Sequence, residues 1–385
     1  MAERSPDAQA VVFENRSITY RELNTRANLL SHYLVEHGVK PGKPAAICME
    51  RSFDMVVGIL AVLKAGGAYV PLDPVYPEER IVFILDDANV KVLLTQRKHA
   101  NRFSDLKVRV VELDKTSMAQ SDDVSADNLN NSNPVSTGVS ANAAYIIYTS
   151  GTTGIPKGVT ITHKNLLSLL YAFEHTTPSS GERIGVSVCT FTFDVSVWEI
   201  FSNLCFGGTL HILTQDTFVD PPIFADYLTR NKISSAYIPT ALLDSVAECL
   251  KETNQRVSLE HLLVGVEPIK QGTLQKYKDL SEKIKIVNGY GPSESTICAT
   301  FFLFPEKSDE PQSRTPIGKP VSNYQIYILD PSLNPVPIGV NGEICIGGHG
   351  LAMGYLNSPC LTAEKFTPNP FSDKPGERIY KTGDM

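Results

Sequence analysis

The chain has 385 residues, 42% of them hydrophobic, and a formal net charge of −7 at pH 7. That length exceeds one minimal core and suits one large domain built from several lobes. The acidic balance, with no basic stripe, argues against nucleic acid as a partner. No apolar run nears the roughly 20 residues a bilayer requires, and the start, Met1 to Pro6, has no apolar signal core. The seven cysteines form no CxxC pair and the eight histidines no HExxH. The cysteines read as buried thiols in a reducing, cytoplasmic compartment, with no structural metal.

Thr19-Tyr20-Arg21-Glu22 has the form of a capping box, and Leu23, Ala27, Leu30 and Leu34 line one helical face that stops at Gly38. A second helix is expected over Phe53–Lys64, ended by Gly66-Gly67, followed by a strand at Ala68–Val70. Pro77 suits the first turn of a third helix, Glu78–Asp86. Lys91–Thr95 and Val108–Leu113 are strand candidates. Lys115–Asn142 is rich in Ser, Asn and Asp and reads as a surface loop or partly disordered segment.

Ala143–Tyr148 reads as a buried strand running into a Gly/Thr/Ser loop. Strands are then expected at Ile184–Cys189, Thr209–Leu213, Ser234–Ile238, Leu262–Val266 and Lys285–Asn288. Helices fall between them at Val195–Cys205, Pro221–Asn231, Ala241–Glu252 and Lys270–Leu280. This alternation implies an α/β fold of layered, parallel-type sheets covered by helices. Beyond about residue 300 the helices largely stop, and Asn323–Leu329 and Glu343–Ile346 alternate as β. The expected organisation is two α/β subdomains over about 1–300 and a small, barrel-like β-rich subdomain over about 301–385.

The strongest motif is Tyr148-Thr149-Ser150-Gly151-Thr152-Thr153-Gly154-Ile155-Pro156-Lys157-Gly158. Its hydroxyls, backbone N–H groups and one ammonium can surround an anion, and its glycines let the backbone approach closely. A flexible Gly/Thr linker is the plain alternative, but linkers do not follow apolar strands with this density of donors. It is not a GxxxxGK[ST] loop, because Pro156 precedes the lysine and Gly158 follows it.

This loop resembles the phosphate-binding motif of the adenylate-forming superfamily. Further segments narrow the resemblance to the adenylation domains of non-ribosomal peptide synthetases. They are Leu63–Pro74 (LKAGGAYVPLDP), Phe193–Glu199 (FDVSVWE), Asn288–Glu294 (NGYGPSE), Gly342–Gly348 (GEICIGG) and Tyr380–Asp384 (YKTGD), in the family's order along nearly the whole chain. The resemblance implies ATP-dependent activation of an amino acid as its adenylate, with release of pyrophosphate. The aminoacyl group would then load onto the phosphopantetheine thiol of a peptidyl carrier protein, beside a condensation domain. Mg²⁺ is the implied metal.

By the same resemblance, Thr149, Ser150, Gly151, Thr152, Thr153, Gly154 and Lys157 hold the β- and γ-phosphates. Asn288, Tyr290 and Gly291 form the adenine site, and Asp384 takes the ribose hydroxyls. Ser293, where the family more often has Thr, touches the α-phosphate; Glu294 binds Mg²⁺. Lys157 and Glu294 could otherwise be an ordinary surface lysine and loop acid. Asp194 pairs with the substrate ammonium; a helix N-cap is the other reading of that residue. The substrate pocket maps to Asp194, Val195, Trp198, Ala236, Leu263, Gly265, Gly289, Ile297 and Cys298. That lining is apolar or small apart from Asp194, and Ala236, Gly265 and Gly289 leave space at the walls. A large hydrophobic or aromatic amino acid is expected, Phe first, with Leu as runner-up. Val266 departs from the family, where Gly is common.

The resemblance also implies a C-terminal lobe carrying a catalytic lysine, which the sequence lacks, so this chain alone is expected to be weakly active or inactive. Two other classes remain open: an acyl- or aryl-CoA ligase of the same superfamily, and a catalytically inactive binding module.

Overall fold

A computed structural model describes residues 1–114, 132–134, 138–150, 154–253 and 256–385. The loop expected over 115–142 therefore lies largely outside the described residues. Twenty strands follow in chain order: β1 (Gln9–Phe13), β2 (Arg16–Thr19), β3 (Ala45–Cys48), β4 (Tyr69–Leu72), β5 (Val92–Thr95), β6 (Arg109–Glu112), β7 (Ala143–Ser150), β8 (Pro156–Thr162), β9 (Ile184–Ser187) and β10 (Thr209–Ile212). Then come β11 (Ser235–Tyr237), β12 (His261–Gly265), β13 (Lys285–Tyr290), β14 (Thr300–Leu303), β15 (Lys319–Pro320), β16 (Tyr324–Leu329), β17 (Glu343–Gly348), β18 (Gly354–Tyr355), β19 (Phe366–Pro368) and β20 (Arg378–Lys381).

They form three sheets. The first has seven strands in the order β18-β8-β7-β4-β3-β5-β6, and the second nine in the order β15-β14-β13-β12-β11-β9-β10-β1-β2. Their centres pair parallel, as β3 does with β4 and β5, and β12 with β11 and β13. Three of the four edges are antiparallel, at β18–β8, β15–β14 and β1–β2, while β6 joins β5 in parallel. The expected β-rich region is a four-stranded antiparallel sheet, β16-β17-β20-β19. Among the described residues no helix is long and apolar enough to cross a membrane.

The helices begin where the chemistry of their caps puts them. Helix α1 (Tyr20–Glu36) starts on the expected capping box: the Glu22 backbone N–H donates to Thr19 Oγ1 at 3.2 Å, and the Thr19 N–H donates to Glu22 Oε2 at 2.7 Å. Thr19→Ala should cost about 1 kcal/mol of stability, the usual loss for a neutralised N-cap, read as a lowered denaturant midpoint. Helix α2 (Phe53–Lys64) runs between the expected ends. The buried Tyr20 hydroxyl donates to the carbonyls of Leu204 and Gly208 at 3.2 and 2.7 Å, fixing α1 against the nine-stranded sheet.

Nine strands lie where no strand was expected: β1, β2, β3, β8, β14, β15, β18, β19 and β20. Ala45–Cys48 is wholly buried on both faces, so its four small and apolar residues show no alternation. Pro156–Thr162, whose first three residues belong to the expected phosphate loop, pairs antiparallel with β7, Thr149 opposite Lys157 and Ser150 opposite Pro156.

Candidate active site

The parallel strands β12 and β13 end side by side at Gly265 and Gly289. Open α/β sheets bind ligands beyond the carboxyl ends of their strands, and a cavity of about 630 Å³ lies there. Its lining brings together Asp194, Val195, Leu263, Gly265, Asn288, Gly289, Tyr290, Gly291, Ser293, Ile297, Cys298 and Asp384. Two of the expected pocket residues are absent from that wall. Trp198 and Ala236 are both buried, and Trp198 packs on Phe173 with ring centroids 5.4 Å apart.

Asp194 precedes the helix Val195–Leu204 but makes no side-chain cap to it. Its Oδ2 instead accepts from Ser293 Oγ at 2.6 Å. Burial, partly offset by that hydroxyl, raises the Asp194 carboxyl from 3.8 to about 6. Glu199, in the same motif, is also buried. Its carboxylate accepts from Ser187 Oγ at 3.1 Å and from the backbone N–H groups of Val188 and Cys189 at 3.1–3.2 Å, and burial raises it to about 7. It braces the segment after β9 from below.

The loop after β13 is turned by two adjacent left-handed residues, Thr296 (φ 62°) and Ile297 (φ 67°). Thr296 Oγ1 donates to the Gly350 carbonyl at 2.7 Å. Gly291 is required here, since a Cβ would sit 2.7 Å from the Ala299 nitrogen.

The glycines of the pocket do not leave the free space expected of them. A Cβ on Gly265, whose φ is 144°, would lie 2.2 Å from the Gly289 carbonyl oxygen. One on Gly289 would meet the Cys298 sulfur at 2.5 Å. Close backbone approach therefore explains the first, and the buried Cys298 side chain fills the space beside the second.

At the other end, the Tyr290 hydroxyl donates to Asp384 Oδ2 at 2.6 Å. Asp384 is reached through the small sheet: the Ile344 N–H donates to its carbonyl at 2.9 Å, and the Gly383 N–H to Glu343 Oε1 at 2.9 Å. Asn288 Nδ2 donates to the Pro316 carbonyl at 2.9 Å, and its amide oxygen can only accept. This brings Arg314, Thr315 and Ile317 to the Asn288 end of the cavity. None of these three, nor Tyr237, was expected. They come from segments without a motif, and only tertiary packing puts them here.

Glu294 and Lys157 are outside the cavity lining but near each other. The Tyr355 hydroxyl donates to Glu294 Oε1 at 2.6 Å, and Lys157 Nζ lies 4.8 Å from the centroid of the Tyr355 ring. Thr149 and Ser150 end β7, and Gly154 is exposed. Gly151, Thr152 and Thr153 lie outside the described residues. Among the described residues no three His, Cys, Asp or Glu could hold a metal ion. A lone carboxylate near a phosphate-binding motif still suits Mg²⁺, which is commonly held by one or two carboxylates plus substrate phosphates.

The architecture and cleft thus define an α/β protein with one charge-bearing ligand site assembled from the strand ends of its larger sheet. Residues 1–356 match the model of the AMP-binding enzyme family, and the chain belongs to that family. It is 41% identical to tyrocidine synthase 1 of Brevibacillus parabrevis, over all of this chain and 34% of that protein. To malpinin synthetase of Mortierella alpina it is 39% identical, over all of this chain and 5% of that protein. Among solved structures, the α-methyl-L-serine-AMP-bound form of the non-ribosomal peptide synthetase FmoA3 superposes with a TM-score of 0.88 at 27% identity. That match covers 99% of this chain and 42% of the other. The chain thus spans about a third of one of these curated relatives and a twentieth of the other.

Proposed function

We propose that the chain is an amino-acid-adenylating module, converting an amino acid and ATP into aminoacyl-AMP and pyrophosphate. The observation that carries this reading is the buried Asp194 carboxylate, which shares one cavity with Asn288, Tyr290 and Asp384. A buried carboxylate needs a cation partner or a proton. An α-ammonium supplies the cation, and simple carboxylic acids have none. The same residue disfavours an acyl- or aryl-CoA ligase. A binding module that had lost activity would need neither Glu294 nor the hydroxyl loop.

In this reading Tyr290 stacks on adenine, Asn288 accepts from its amino group, and Asp384 takes the ribose hydroxyls. Ser293 has one hydroxyl proton, now given to Asp194. The incoming ammonium takes its place and frees that proton for the α-phosphate. The substrate carboxylate attacks the α-phosphorus in line and the bond to pyrophosphate breaks. Thr149, Ser150, Gly151, Thr152, Thr153, Gly154 and Lys157 offset the developing charge. Glu294 would hold Mg²⁺, which would supply further charge neutralisation when bound. No covalent enzyme nucleophile is needed.

The apolar walls, Val195, Leu263 and Ile297 with Cys298, favour a large hydrophobic or aromatic amino acid, Phe first and then Tyr, Trp or Leu. Transfer to the phosphopantetheine of a peptidyl carrier protein, next to a condensation domain, in a cytoplasmic pathway to a secondary metabolite completes the proposal. About 1–300 would act as two α/β subdomains and about 301–385 as a β-rich one whose strands β15 and β18 also complete the two larger sheets.

A panel of non-hydrolysable aminoacyl-adenylate analogues tests this by thermal stabilisation. At 100 times its dissociation constant a ligand adds about 2.7 kcal/mol. The Phe, Tyr or Trp analogues should raise Tm most, and their des-amino forms little. Winning charged analogues would overturn the pocket reading, and equal shifts from des-amino forms would overturn the activity.

A further inference from the structure

We infer that Tyr355 is a positioning residue for the triphosphate site: it locks one oxygen of Glu294 and ties that carboxylate to Lys157. The inference rests on the function proposed above. Tyr355 is buried, and its hydroxyl donates to Glu294 Oε1 at 2.6 Å. A carboxylate has two oxygens. Holding Oε1 by a neutral O–H fixes the orientation of the carboxylate and leaves lone pairs for a metal. A second link fixes the same carboxylate's backbone, since the Ala352 N–H donates to the Glu294 carbonyl at 2.8 Å.

The strand register explains how Tyr355 reaches both partners. It lies on β18, opposite Val159 of β8. Lys157 is two residues along β8 from Val159, so it projects from the same face. Diagonal neighbours across an antiparallel pair are within reach of aromatic and long side chains. Lys157 Nζ lies 4.8 Å from the ring centroid, a cation–π arrangement. Phe366 meets the ring edge-on, with centroids 5.7 Å apart, and the Tyr380 hydroxyl lies 3.5 Å from that of Tyr355. A ring so confined has little freedom to rotate. The cation over its face also makes the phenol a better donor to Glu294. One side chain thus joins the lysine of the phosphate motif to the acid of the Asn288–Glu294 motif, from a segment that carries neither.

The test is Tyr355→Phe, which keeps the ring and its packing and removes only the donor. Binding of a non-hydrolysable ATP analogue is measured by calorimetry across a Mg²⁺ titration and again in excess chelator. Loss of the group that orients a metal ligand weakens metal binding by roughly 10- to 100-fold. The half-saturating Mg²⁺ concentration should rise by about that factor. Affinity in chelator, and affinity for an aminoacyl-adenylate analogue lacking the β- and γ-phosphates, should stay within about twofold. In a Glu294→Gln background Tyr355→Phe should change the Mg²⁺ response no further, since the pair acts as a unit. An unchanged Mg²⁺ curve, or an equal loss with and without Mg²⁺, overturns this inference alone. A native chain that binds no nucleotide overturns the proposed function and this inference with it.

Discussion

Asp194→Asn should lower affinity for an aminoacyl-adenylate analogue by about 30-fold or more while changing that of the des-amino analogue by no more than a few-fold. Removing one member of a buried, hydrogen-bonded charge pair costs about 2–5 kcal/mol, because the other charge stays buried alone. The same substitution should stabilise the ligand-free chain. Asp194 is buried and its carboxyl lies at about 6 rather than 3.8. At 1.36 kcal/mol per pKa unit, that displacement is on the order of 3 kcal/mol against the ionised form near neutral pH. A native proton held above its unfolded affinity stabilises at low pH and ceases to do so as pH rises. The Asp194 contribution is therefore fully present below about 3.8 and is lost by about 6. Asparagine should flatten this stretch of the stability curve and raise the melting temperature at pH 7.5.

Ligand binding should have the opposite pH dependence. The ammonium needs ionised Asp194, so affinity for amino-acid analogues should fall toward tenfold per pH unit below about 6. The des-amino analogue, or the Asn variant, should lose that dependence. Calorimetry at pH 5 and 7.5 decides the matter: a native chain with the same affinity at both would mean that Asp194 does not meet the ammonium.

Much of this site was legible because its motifs are local. Asp194 and Glu199 sit five residues apart around one helix start, and Asn288 to Glu294 cover the end of one strand and its loop. The caps were legible for the same reason, since Thr19 and Glu22 meet within one turn. Legibility failed where a residue's meaning depends on a distant segment. β8 begins with Pro156 and contains Gly158, and only its pairing with β7 makes it a strand. A Cβ on Gly158 would come 2.9 Å from the Tyr148 ring, so close packing accounts for that glycine. Tyr355, Thr315 and Tyr237 reach the site from segments far along the chain. The pocket glycines were misread for a related reason: a glycine can mean open space or a close backbone neighbour, and sequence does not separate the two. Trp198 shares a motif with Asp194 and packs on Phe173, outside the residues that line the cavity.

Gly265 and Val266 offer the sharpest contrast, since adjacent substitutions should act in opposite directions. Gly265→Ala places a Cβ 2.2 Å from the Gly289 carbonyl oxygen, at a φ of 144°. A strained φ of this kind costs about 1–3 kcal/mol, and forced overpacking a similar amount. The total loss should be roughly 3–5 kcal/mol. Because Gly265 and Gly289 are paired at the cavity floor, analogue binding should fall with it. Val266 has φ 74° and is 62% exposed. A β-branched residue in that region is a genuine outlier. Val266→Gly relieves about 1–3 kcal/mol of strain, less about 0.5–1 kcal/mol for the freedom glycine gains when unfolded. A net gain of about 1 kcal/mol should appear as a higher denaturant midpoint at unchanged slope. If Val266→Gly instead destabilises the free chain, the isopropyl group makes contacts that outweigh its backbone strain. If it stabilises the free chain but weakens nucleotide binding, the strain is held for the ligand: an apolar side chain at the mouth of the cleft, kept in a costly conformation because it packs against what binds there.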